Sequence, residues 1–162
     1  MKRIAGMVFL ISLLASSLAG AQASPATVQS VQKQLQPLLT EMLVAANAHD
    51  TDRFMALYLR QPSFVFTFNG MIIKGWEAAR TQQLKWWNNG KSDVVYAYSS
   101  APEVTVLGPD AAVVTQPLSA TRTLPDGKKS TGEIVATTVW QKFPEGWRAV
   151  QVHESTAPAP QH

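Results

Sequence analysis

His153 and Glu154 stand side by side near the end of the last alternating run of the chain, and both residue types can move protons. Histidine does so near neutral pH because its ordinary pKa lies there. Neighbours in a strand point to opposite faces, so one of the two can enter a pocket. Trp147, Ala149, Gln151, His153 and Ser155 share one face; Arg148, Val150, Val152 and Glu154 share the other. If the valines face inward, Glu154 sits at the pocket mouth and His153 lies outside, where a subunit partner could meet it. If Trp147 faces inward, His153 is the pocket residue.

Other side chains could line such a pocket. Arg122 and Glu133 flank the Pro125-Asp126-Gly127 turn, and counting back from it sets them opposite each other as a cross-strand ion pair. Trp76, Tyr96, Tyr98 and Trp140 suit a planar or apolar ligand, the tyrosine hydroxyls supplying a few polar contacts. Phe64, Phe66 and Phe68 share one strand face and read as core. His49, His153 and His162 show no metal-ligand spacing, and the chain has no cysteine, which excludes thiol catalysis and metal–thiolate sites. No metal or cofactor is expected.

The elements that hold these residues come in two blocks. Ser24-Pro25 reads as a helix start. Val28, Val31, Leu35, Leu38, Met42 and Ala46 recur at spacings of three and four beyond it. Pro37 either kinks this helix or marks its firm beginning. Asp50 caps a second, short helix bearing Phe54, Leu57 and Tyr58. Phe64 to Phe68 alternates into Asn69-Gly70, a hairpin turn, and Met71 to Lys74 returns. A third helix spans 76–87, stopped by Asn89-Gly90. Four long extended runs follow, at 93–107, 111–124, 129–143 and 147–155, with bends at Pro102, Pro117 and Gly132. Helices first and a long antiparallel meander afterwards is an α+β layout, a curved sheet wrapped around three N-terminal helices.

The chain has 162 residues, and its first 23 read as a secretory signal peptide: Lys2-Arg3, an apolar run from Ile4 to Leu18, then Ala21-Gln22-Ala23. Residues 24–155 form the domain, and the tail 156–162 is expected to be disordered. No cysteine follows the apolar run for lipid attachment, so the expected setting is the periplasm or outside the cell, with no membrane contact after cleavage. Without Lys2 and Arg3 the net charge drops from +3 to +1. No basic run exceeds Lys128-Lys129, so nucleic acid is not an expected partner.

Several phrases resemble the nuclear-transport-factor-2-like cone fold. The stretch from Ala48 to Tyr58 resembles that family's turn between its first two helices. Lys74-Gly75-Trp76-Glu77-Ala78 resembles the start of its third helix, and Asp110 to Thr115 its fourth strand. Thr138 to Lys142, Gly146-Trp147-Arg148 and His153-Glu154-Ser155 resemble the closing hairpin of the SnoaL-like branch, which also resembles the calcium/calmodulin-dependent kinase association domain. That closing strand often carries two histidines two residues apart; here the first position is Gln151, and only His153 carries over. A ketosteroid-isomerase mechanism needs a tyrosine on the first helix, and this one has none.

The resemblance implies a cone whose concave sheet face lines a pocket. Relatives perform cofactor-free acid–base chemistry on apolar molecules, or only bind and assemble, so fold does not settle function. Two readings follow. One is an exported protein binding a small apolar or aromatic molecule, with lyase, isomerase or hydrolase activity resting on His153 or Glu154. The other is an assembly module with a vestigial pocket. Both fit a homodimer, because the exposed convex face needs cover.

Overall fold

Ser24 opens the first helix: its hydroxyl accepts the Thr27 N–H at 3.2 Å, and Pro25 takes the first helical position. The computed structural model describes residues 23–157, so the segment expected to be a signal peptide, up to Gln22, and the last five residues of the expected tail lie outside the described part. Helix α1 (Pro25–Asn47) continues through Pro37, which is exposed, so its missing N–H and ring fall on the water side. The buried stripe is Val31, Leu35, Leu39, Met42, Ala45 and Ala46. Leu39 and Ala45 join the stripe, while the expected Val28 and Leu38 are half-buried at its edge, a small rotation of the predicted face.

Asp50 accepts the Arg53 N–H at 3.0 Å and caps α2 (Thr51–Met55). Strands β1 (Val65–Phe68) and β2 (Met71–Lys74) form a hairpin whose turn residues Asn69 and Gly70 both have positive φ, 44° and 85°. Helix α3 (Trp76–Trp86) begins after Gly75, whose φ of 88° lets the chain turn from strand to helix.

The meander comprises β3 (Val95–Tyr98), β4 (Glu103–Gly108), β5 (Ala111–Thr123), β6 (Lys129–Phe143) and β7 (Gly146–Thr156). The run expected as one strand over 93–107 is two: Ser99 to Pro102 breaks it, and both pieces pair with β5, leaving Pro117 between them. Among the described residues the sheet has seven strands in the order β2-β1-β7-β6-β5-β3, with β4 also on β5. It is antiparallel except where β1 runs parallel to β7. Thr156 belongs to β7 rather than to the tail. Its N–H donates to Asn69 Oδ1 at 3.0 Å, and Asn69 Nδ2 donates to its hydroxyl at 2.9 Å.

The helices pack on one face of this sheet, the concave one. Leu35, Met55, Phe64, Phe66, Val114, Trp140 and Val152 are almost wholly shut from water between them. The arrangement is the α+β cone expected of the sequence.

Candidate functional site

Along β5 the inward positions are Ala112, Val114, Gln116, Leu118, Ala120 and Arg122; along β6 they are Ile134, Ala136, Thr138 and Trp140. Alanines stand among larger residues, and near the open end the helices do not fill the space that Ala120 and Ala136 leave. A cavity of about 380 Å³ results. Met42, Tyr58, Phe68, Trp86, Trp87 and Tyr96 form most of its apolar wall, and Asp93 and Arg122 stand exposed at its mouth.

Glu154 enters this cavity because β7 carries an irregularity. Val139 pairs with Gln151, but Trp140 pairs with Ala149, leaving Val150 unpaired. One extra residue reverses the alternation. Trp147 and Ala149 therefore point inward, and so do Val152 and Glu154. The either-or expected from strict alternation does not apply. His153 is exposed on the outer face, where its Nδ1 lies 2.8 Å from the Thr67 hydroxyl. Gln151, the position of the missing histidine, is exposed beside it.

The Glu154 carboxyl meets no hydrogen-bonding or charged partner among the described residues. Burial among apolar groups disfavours its ionised form and pushes it up to about 7. Ionised Glu154 also helps to raise the nearby Tyr58 hydroxyl, after burial, which is the larger cause. Tyr58 donates only to the Met42 sulfur, at 3.7 Å.

The tyrosines on β3 are fixed by α1. Asn47 grips the Tyr96 backbone from both sides: its Nδ2 donates to the Tyr96 carbonyl at 2.9 Å, and its Oδ1 accepts the Tyr96 N–H at 2.8 Å. The Tyr96 hydroxyl accepts the Trp87 Nε1–H at 3.1 Å, and burial raises its pKa. The Tyr98 hydroxyl donates to the Leu39 carbonyl at 3.1 Å and accepts from Gln116 Nε2 at 3.1 Å. The other amide atom, Gln116 Oε1, is buried with no partner among the described residues.

Glu154, Tyr96, Tyr98 and Arg122 thus share one cavity. Trp140 lies behind its wall, fully buried, donating to the Thr138 hydroxyl at 2.8 Å. Trp76 faces a second, open groove, where the Arg60 guanidinium lies 4.7 Å over its ring and its own Nε1 donates to the Met55 carbonyl. The expected Arg122–Glu133 ion pair does not form. The strands close on Thr123 and Lys129, which sets Arg122 against Ser130 and Glu133 against Ser119. The two side chains then fall on opposite faces, and Glu133 accepts the Ser99 hydroxyl at 2.6 Å instead. Tyr58 and Gln116 were not singled out by sequence reasoning. Gln116 had a readable signal, as a polar residue between Val114 and Leu118 on the inward face of β5.

The profile of the SnoaL-like domain matches residues 35–160, most of the chain. The chain belongs to the SnoaL-like domain family. This SnoaL-like stretch includes every cavity residue from Met42 to Thr156. No curated protein matches the chain. Among solved structures, it is similar to a candidate dehydratase of the NTF2-like family from Streptomyces avermitilis, at 18% identity and TM-score 0.69, covering 81% of this chain and 99% of that one. It is also similar to the association domain of CaMKII from C. elegans, at 23% identity and TM-score 0.65, covering 78% and 96%. An NTF2-like protein of unknown function from Shewanella oneidensis gives 23% identity and TM-score 0.63, covering 77% and 98%. These likenesses speak for the fold alone.

Proposed function

We propose that this SnoaL-like protein binds a small apolar or aromatic molecule in the 380 Å³ cavity and transfers a proton to or from it through Glu154. The observation that carries the reading is an unpartnered carboxyl set in an aromatic-walled cavity and held near pH 7. A group poised there can act as base when ionised and as acid when protonated. The chemistry open to it without a cofactor is lyase, isomerase or hydrolase chemistry, and the dehydratase description of the Streptomyces neighbour is in keeping with that. His153, on the outer face, has no part in this proposal.

The test is a thermal-shift titration with 8-anilino-1-naphthalenesulfonate and a panel of cyclic ketones and alcohols. A ligand that binds only the native state must raise Tm. Compounds that raise it are then incubated with wild type and Glu154→Gln. Turnover lost in the variant while binding persists supports the reading; no Tm shift with any compound refutes it.

A second reading is assembly. Val95, Leu107 and Val135 are 58%, 58% and 42% exposed, and the register sets Val95 and Val135 on the outer face of the sheet. The association-domain neighbour fits such a role. Val135→Glu should then convert a dimer to a monomer in sedimentation. The two readings are compatible, since one uses the concave face and the other the convex. Export is part of the proposal, and an N-terminus at Ser24 in the secreted protein would support it.

A further inference from the structure

The Gln116 amide is a deeply buried polar group of the cavity wall that is only half satisfied. Its side chain is 2% exposed and its Oε1 has no donor among the described residues. Its orientation follows from its neighbour. Tyr98 has one hydroxyl proton, and that proton goes to the Leu39 carbonyl at 3.1 Å. Tyr98 can therefore only accept from Gln116, which must present Nε2, at 3.1 Å. The amide oxygen is left over. A buried acceptor without a donor carries a desolvation penalty that proteins seldom retain without a use.

The place of this oxygen in the sheet gives it a use. Gln116 pairs with Ala136, and Ala136 pairs with Glu154, so all three lie on one rung and face the cavity. Alanine in the middle leaves room for a ligand group between an amide and a carboxyl. The last torsion of a glutamine is broad and soft, so Oε1 is free to turn toward a ligand group.

We infer that Gln116 selects ligands bearing a hydroxyl group, which it recognises by accepting a hydrogen bond from that hydroxyl at Oε1 across Ala136 from Glu154. The ligand class is a ring alcohol or phenol with an otherwise apolar body. This rests on the cavity being a ligand site, as proposed above, and adds a specificity determinant to it. A hydrocarbon of the same shape leaves the acceptor unpaired and is disfavoured for that reason, as sites built to hydrogen-bond a hydroxyl reject analogues that lack one.

The probes are 2-naphthol and 2-methylnaphthalene, which differ by a hydroxyl in place of a methyl. Binding of each to the full chain is measured by calorimetry, for wild type, Gln116→Met and Glu154→Gln. Wild type is expected to favour 2-naphthol by about tenfold or more. Gln116→Met, which keeps the length and removes the acceptor, should erase that preference; Glu154→Gln should keep it. Equal affinities in wild type overturn the inference while leaving the cavity as a ligand site. A preference that survives in Gln116→Met shows that another group accepts the hydrogen bond and overturns it too. Binding of neither probe removes the ligand site and the inference together. If Gln116→Met does not fold, Glu154→Met, which removes the other acceptor on the rung, decides: a preference kept there supports the inference and one lost there overturns it.

Discussion

Gln116 and Glu154 occupy one rung of the curved sheet, separated by β6, with only the methyl group of Ala136 between their side chains. Adjacent strands stand about 4.8 Å apart, so the two α-carbons are roughly 10 Å from each other. That gap suits a small polar group of a ligand, and the aromatic wall suits the rest.

Ala136 is therefore the position at which the cavity can be closed without touching its polar groups. Ala136→Leu fills space that is empty rather than packed, so the usual overpacking cost of about 1–3 kcal/mol should be small or absent. Tm is expected to hold or rise, while affinity for 8-anilino-1-naphthalenesulfonate falls at least about tenfold. Unchanged affinity would place the ligand elsewhere.

Glu154 should make stability depend on pH in an unusual direction. Burial raises its carboxyl from 4.5 to about 7. Between these values the folded chain holds a proton that the unfolded chain has released, so this group favours folding at low pH and stability falls as pH rises through the window. The full effect is about 3 kcal/mol. Glu154→Gln should be about 2–3 kcal/mol more stable than wild type at pH 8 and nearly equal to it at pH 4.5. Urea titrations at the two pH values measure this.

Trp140 and Tyr96 should separate structure from site. Trp140 is fully buried behind the cavity wall, so Trp140→Ala should cost about 3–5 kcal/mol in urea unfolding. Tyr96→Phe keeps the ring and loses only the hydroxyl that accepts from Trp87, so its stability loss should stay near 1 kcal/mol. A large loss for Tyr96→Phe would make that hydroxyl a structural group.

Asn47 joins the end of α1 to β3 through its two hydrogen bonds to the Tyr96 backbone. Asn47→Ala should cost about 1–2 kcal/mol and weaken ligand binding, because Tyr96 loses its anchor. Amide exchange at Tyr96 should quicken in the variant. His153→Ala, on the outer face, should leave ligand affinity within about twofold.

The fold was legible because its signals were local. Ser24-Pro25, Asp50, Asn69-Gly70 and the breaks between strands each specify backbone geometry within a few residues. The site was legible only in part, because its composition depends on parity across long strands. Glu154 and His153 could not be separated by alternation once Val150 was left unpaired in β7. The Arg122–Glu133 pairing failed by three rungs because turn length sets the register, and three rungs also move a residue to the other face. Trp76 and Trp140 are aromatic like the cavity wall, yet tertiary packing sends one to another groove and the other behind the wall. Gln116 was visible as a polar residue between Val114 and Leu118 on the inward face of β5, but its orphan oxygen depends on where Tyr98 sends its proton.

The most direct test of the central claim is the titration of the Glu154 side chain itself, followed by carbon-13 NMR of the carboxyl with Glu154→Gln to assign the signal. A midpoint near 7, moving when a cavity ligand is added, is the expected result. A midpoint near 4.5 that ignores every ligand would show an ordinary solvated carboxylate and contradict the account.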